Sequence, residues 1–128
     1  MVRNVKEFKT KNVRESFYYA LCGLADALRS ERNMRLHIAA TVIVLMLGFW
    51  FTLERLEWLF VFSAIFLVMT MEMLNTALER VVDLFTRQYH PLAKLAKNAA
   101  AGAALLAAVY AIIVGLLIFL PKFLAKFP

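Results

Sequence analysis

Cysteine is almost missing from this chain. Cys22 stands alone among 128 residues, so no internal disulfide framework exists, and with two histidines no Cys/His metal cluster stands out. Glycine is nearly as scarce. Gly23, Gly48, Gly102 and Gly115 are scattered and form no phosphate-cradling loop. No GK[ST] segment and no protein-kinase signature appears, which excludes the usual loop-based phosphate machinery. The opening MVRNVKEFKTKNVRE is charged and lacks the apolar centre of a signal peptide. No low-complexity tract or internal repeat stands out. The most informative absence is of charge. Leu36–Leu53 has none over 18 residues, Ala99–Leu120 none over 22, and Leu56–Met71 only Glu57 near its outer end.

What fills those gaps is apolar. Hydrophobic residues make up 62% of the chain and the mean hydropathy is +0.69, well above the roughly 45–50% apolar content of soluble domains. A span needs about 20 residues, fewer where flanking side chains snorkel. The three runs therefore read as membrane spans, and the chain as an all-α integral membrane protein; the alternative is a soluble bundle of very apolar helices. The net charge of +6 is unevenly placed. Eight Lys and Arg precede residue 36, only Arg55 lies between the first two spans, four lie between the second and third, and Lys122 and Lys126 follow. The positive-inside rule then puts the N-terminus in the cytoplasm and the C-terminus outside. Anionic lipid already accounts for the basic balance, so no nucleic-acid partner is expected.

In order, residues 1–12 read as a basic arm and 13–30 as an amphipathic surface helix. Phe17, Leu21, Leu24 and Leu28 make its apolar stripe, opposite Arg14, Glu15 and Asp26. Ser30 is placed to cap the next helix, where Glu31 and Arg35 form an i,i+4 pair. The first span (31–53) carries Trp50 near its outer end, and Trp58 opens the second (56–88); both suit an aromatic belt. His90-Pro91 breaks that helix. The third span (92–120) repeats small residues every four positions, at Ala103, Ala107, Ala111 and Gly115 and at Ala100, Ala104 and Ala108. Such seams let helices approach closely in lipid, and a homo-oligomer packed through them is expected. Pro121 is expected to stop the helix.

The stretch Met71–Asn98 organises the rest. On a helix, Glu79 and Asp83 fall about 20° either side of Glu72, and Asn75 about 60° away. An ionisable group at the end of an apolar span is costly and usually functional. The topology gathers Glu31, Glu72, Asn75, Glu79, Asp83, Lys94, Lys97 and Asn98 into one cytoplasmic layer. Carboxylates beside basic groups at a lipid interface suit a divalent cation, a phosphate donor and a lipid hydroxyl. On spacing alone, a lipid-modifying enzyme competes with an ion-conducting subunit using Glu72 as relay, and with a structural or assembly protein.

The segments SERNMRLH, EMLNTALERVVD, YHPLAKLAKNAAAGA and GLLIFLPK resemble the prokaryotic diacylglycerol kinase family, above all its Gram-positive undecaprenol kinase branch. The resemblance runs from about Val13 to Lys122. It implies a single membrane kinase domain over 1–128 in a bacterial cell membrane, an N-terminal surface helix with three transmembrane helices, and a homotrimer with active sites between protomers. The implied reaction transfers the γ-phosphate of ATP, with Mg²⁺, to a lipid hydroxyl; undecaprenol is the first expected acceptor and diacylglycerol the second. Carried over by position, Glu72 is the general base and Asn75 supports it. Glu31 and Glu79 are the Mg²⁺ ligands. Asp83 orients groups around the nucleotide, and Tyr19, Gln88, Tyr89, His90, Lys97 and Asn98 are contacts on the ATP side. The chain departs from the family pattern at Asn98, where an acid is common, and at Gln88, where diacylglycerol-specific members carry glutamate. Near Asn12 those members have an arginine, and Lys11 or Arg14 is the replacement.

Overall fold

The computed structural model describes residues 12–127, so the basic arm, Lys11 included, lies outside the described residues. These residues form four helices and no strand: α1 (Val13–Ser30), α2 (Arg32–Trp50), α3 (Arg55–Phe85) and α4 (Pro91–Lys126). The last three are each long and apolar enough to cross a membrane. Their outer faces are apolar too, with Phe66, Leu106 and Leu117 all exposed. A protein in water would turn such residues inward; here the greasy surface is the outer one.

Asn12 caps α1, its side chain accepting from the Glu15 N–H at 3.0 Å. The helix ends at Ser30, and a single extended residue, Glu31 (φ −101°, ψ 121°), separates it from α2. Ser30 therefore closes α1 and does not cap α2 through its side chain. Nor do Glu31 and Arg35 form the expected ion pair. The Arg35 guanidinium donates to the Arg29 carbonyl at 3.1 Å instead, because the break at Glu31 exposes the end of α1 to it.

α2 and α3 join through a tight turn. Its backbone bonds run from Phe51 N–H to the Leu47 carbonyl (2.8 Å) and from Leu53 N–H to the Gly48 carbonyl (3.1 Å). Thr52 takes a left-handed conformation, φ 49°. Gly48 is required by close approach: a Cβ there would lie 2.6 Å from the Trp58 ring. A capping box starts α3, with the Glu57 side chain accepting from the Glu54 N–H at 2.8 Å. The same Glu57 carboxylate meets Lys122 of α4 at 3.0 Å. Lys126 sits 5.0 Å from the Trp50 ring centre.

These contacts go with a correction to the end of α4. Pro121 does not stop the helix, which continues to Lys126. A proline interrupts one N–H bond and the ladder can close again beyond it; here Lys122 and Lys126 are both held by α2 and α3. At the other end α3 stops at Phe85, before Gln88, and Pro91 takes the first turn of α4.

α4 packs against α3 and α3 against α2, while α1 touches α2 and α3. The buried residues of α3, Val61, Ala64, Val68, Glu72 and Thr76, form one stripe at helical spacing. Ala107 and Val114 are buried on α4, and Ser63 and Tyr110 share a hydrogen bond of 3.1 Å between the two helices. Ala111 and Gly115 are half-buried and Ala103 is exposed. Much of the small-residue seam expected to join protomers is thus already taken up within one, since small residues let α3 and α4 approach.

Candidate active site

The α3 stripe is apolar until it reaches Glu72, which is only 5% exposed, with Thr76 one turn beyond at 8%. At 1.5 Å per residue α3 is roughly 46 Å long, well beyond the ~30 Å core of a bilayer. Its last turns therefore project beyond the core, and that polar end carries the candidate groups. Asn75 donates from Nδ2 to Glu79 Oε1 at 3.1 Å. Its own Oδ1 is buried and finds no donor. An orphaned acceptor on the turn after a buried carboxylate is costly unless something supplies a proton or a positive charge. A hydroxyl, a metal-bound water or a cation would satisfy it.

A second group lies farther along. Asp83, Gln88, Tyr89, His90, Lys97 and Asn98, all singled out from the sequence, line one cavity of about 250 Å³ between the end of α3 and the start of α4. Lys97 donates to Asp83 at 2.6 Å across the two helices. Thr86 Oγ1 holds the link, accepting from the Gln88 N–H at 3.2 Å and donating to the Gln88 carbonyl at 3.1 Å. Lys94, placed by its spacing in the same polar layer, also lines the cavity, as do Thr86 and Arg87, to which sequence reading assigned no role. With Arg87, Lys94 and Lys97 against Asp83, it is a cationic pocket suited to a polyphosphate.

Tyr19 sits apart from both groups, while Glu31 meets α3 at Arg80, the residue after Glu79. Glu31 is half-buried at the α1–α2 break, with Oε1 3.2 Å from Ser30 Oγ and 3.6 Å from Arg80 Nη2. Tyr19 is 59% exposed on α1, its ring against Tyr18. The structure thus brings Glu72, Asn75 and Glu79 onto one stretch of α3 and six further residues into one pocket. It does not bring Tyr19 to either.

Among the described residues no three His, Cys, Asp or Glu side chains converge on a point that could hold a metal ion. Mg²⁺ does not require that. It is commonly held by one or two carboxylates, with waters and substrate phosphates completing six oxygens. Glu79, with an oxygen oriented by Asn75, and Glu31 are hard oxygen donors of the right kind.

Sequence reading gave Asp26 a place on the polar face of α1 and Ser30 a capping role, but it tied neither of them, nor Arg80, to the site. The Arg80 guanidinium reaches back to both of the others, donating to Asp26 at 2.5 Å and to Ser30 Oγ at 2.7 Å. Links across 54 and 50 residues leave no periodic signal. The only hint was an arginine directly after a candidate ligand.

Comparison with known proteins shows the family. Residues 18–119 match the prokaryotic diacylglycerol kinase family. The undecaprenol kinase of Bacillus subtilis is 49% identical over 89 residues, covering 70% of this chain and 72% of that protein. A diacylglycerol kinase of Synechocystis is 45% identical over 96 residues, covering 74% of this chain but 55% of the longer relative. The diacylglycerol kinase of Escherichia coli K12 is 31% identical over 88 residues, covering 69% and 72%. A buried carboxylate at the end of an apolar span, a cationic pocket farther along the same helix and a match across most of the chain lead to one conclusion: the chain belongs to the prokaryotic diacylglycerol kinase family, a family of membrane lipid kinases.

Proposed function

We propose that the chain is an undecaprenol kinase, which moves the γ-phosphate of ATP to the hydroxyl of undecaprenol and yields undecaprenyl phosphate. The observation that carries the chemistry is Glu72, buried at the end of the apolar stripe with the unpaired Asn75 Oδ1 one turn away. A lipid hydroxyl arriving along the bilayer can give its proton to the Glu72 carboxylate. The hydroxyl oxygen then bonds to the γ-phosphorus, the bond to the bridging oxygen breaks, and ADP leaves with that electron pair. Burial of Glu72 keeps water from competing as acceptor.

The cationic pocket is the place for the nucleotide. Lys97 neutralises phosphate charge, Asn98 and Gln88 supply amide hydrogen bonds, and Tyr89 and His90 offer flat rings. Asp83 holds Lys97 until the nucleotide arrives. Mg²⁺ held by Glu79 and Glu31 would neutralise charge on the β- and γ-phosphates.

Tyr19 and Glu31 lie apart from the pocket within one protomer, and the outer faces of the helices are apolar. Both features support a homotrimer with sites between protomers. The charge distribution supports an inward N-terminus and an outward C-terminus in the bacterial cell membrane.

The acceptor is inferred from likeness to the Bacillus subtilis protein, and the Synechocystis relative keeps diacylglycerol as the second reading. The test is a transfer assay in detergent micelles with γ-labelled MgATP and each lipid supplied separately. Label moving mainly to undecaprenol is the expected result; label moving mainly to diacylglycerol would replace the acceptor and keep the mechanism.

A further inference from the structure

One charged cluster at the polar end belongs neither to the α3 stripe nor to the cationic pocket. It is centred on Arg80, directly after Glu79. Arg80 Nη1 donates to Asp26 Oδ2 at 2.5 Å, and Nη2 donates to Ser30 Oγ at 2.7 Å. Ser30 Oγ in turn donates its single proton to Glu31 Oε1 at 3.2 Å, and Nη2 stands 3.6 Å from that same oxygen. The guanidinium fork therefore spans the last turn of α1 and the one-residue break, with its planar donors set in fixed directions.

The consequence follows from where Glu31 sits. It is the sole residue between α1 and α2, so its backbone moves with any change in the angle between them. The side chain of its i,i+4 neighbour does not hold its carboxylate, since the Arg35 guanidinium is committed to the Arg29 carbonyl. At 3.6 Å the Arg80–Glu31 contact is an ion pair and not a hydrogen bond. The single hydrogen bond on the Glu31 carboxylate from this cluster comes from Ser30, and one oxygen is left open. A metal can take that oxygen without breaking any bond Arg80 makes. Half-exposed ion pairs add little to stability; the value of this one lies in direction.

We infer that Arg80, through Asp26 and Ser30, is a positioning residue for Glu31: it fixes the α1–α2 elbow onto α3 and aims the Glu31 carboxylate for metal binding. This rests on the reading of Glu31 as a Mg²⁺ ligand. Groups that orient a ligand in this way usually change metal affinity about 10- to 100-fold when removed.

The test uses the full-length protein in micelles. Transfer is measured against free Mg²⁺ for the wild type, Arg80→Ala, Arg80→Lys, Asp26→Asn and Glu31→Gln. Mn²⁺ bound together with a non-hydrolysable ATP analogue is measured in parallel by electron paramagnetic resonance, and a nitroxide on Cys22, the single cysteine, reports the motion of α1. Arg80→Ala should raise the Mg²⁺ and Mn²⁺ half-saturation about 10-fold, with turnover at saturating Mg²⁺ changed far less, and should loosen the Cys22 label. Arg80→Lys should recover only part of this, because an ammonium cannot fork. Adding Arg80→Ala to Glu31→Gln should cost no further metal affinity. If Glu31→Gln weakens the metal while Arg80→Ala and Asp26→Asn do not, the positioning role is overturned and the ligand reading stands. If Glu31→Gln leaves both metals unchanged, the ligand reading itself falls. Asp26→Asn keeps the proposal falsifiable should Arg80→Ala fail to fold.

Discussion

On the proposed mechanism, Glu72, Asn75 and Lys97 would divide the work of the site between proton transfer, orientation and phosphate binding, and each makes a separate prediction. Glu72→Gln keeps the shape of the side chain and removes the base. Turnover should fall by about 10²–10⁴, with binding of an ATP analogue close to that of the wild type; near-normal turnover would remove Glu72 from the mechanism. Asn75→Ala takes away a hydrogen bond to a charged acceptor, Glu79. A loss of about 1.5–3 kcal/mol is expected, or roughly 10- to 100-fold in kcat/KM. Unchanged kinetics would mean that the bond is incidental. Lys97→Ala should raise the KM for ATP more than it lowers kcat, because Lys97 acts on the bound phosphates. An effect confined to kcat would place it at the reacting atoms instead.

At the scale of the helices, the turn between α2 and α3 is the most constrained feature. Gly48→Ala would push a methyl group to 2.6 Å from the Trp58 ring, and overpacking of that kind costs about 1–3 kcal/mol. Thermal unfolding in detergent should show the loss, and a smaller ring at position 58 should restore it. If Gly48→Ala unfolds at the wild-type temperature, the close approach carries no strain. The sequence made the helices legible because a charge-free run of about 20 residues has one meaning in lipid. His90-Pro91 was expected to break α3, but that helix already stops at Phe85, and Pro91 takes the first turn of α4 instead. Pro121 was misleading as well: the rule describes one broken bond and ignores what holds the chain beyond it. Lys122 and Lys126 are held by Glu57 and Trp50, which no local pattern reveals. The site was legible to the same depth. Spacing placed Glu72, Asn75 and Glu79 on one face. The pairing of Arg80 with Asp26, made through space, left no trace in the spacing.

For the whole molecule, the proposed homotrimer would leave one protomer incomplete. Its buried core is thin and its apolar surface faces outward, and Tyr19 stands away from the pocket it was expected to serve. Sites completed between protomers account for this, and mixing two dead variants tests it. If the protein is the proposed trimer with shared sites, assemblies mixed from Glu31→Gln and Glu72→Gln protomers should regain transfer, because some sites would then take an intact Glu31 from one chain and an intact Glu72 from another. No recovery in trimers shown to be mixed would place both groups in one chain.

The proposed lipid kinase chemistry with Glu72 as base is tested most directly by transfer of labelled γ-phosphate from MgATP to undecaprenol in micelles by the wild type and Glu72→Gln side by side, each shown to be folded and to bind an ATP analogue. Phosphorylated lipid from the wild type alone is the predicted result; equal product from both proteins, or none from a folded, nucleotide-bound wild type with either undecaprenol or diacylglycerol, would contradict it.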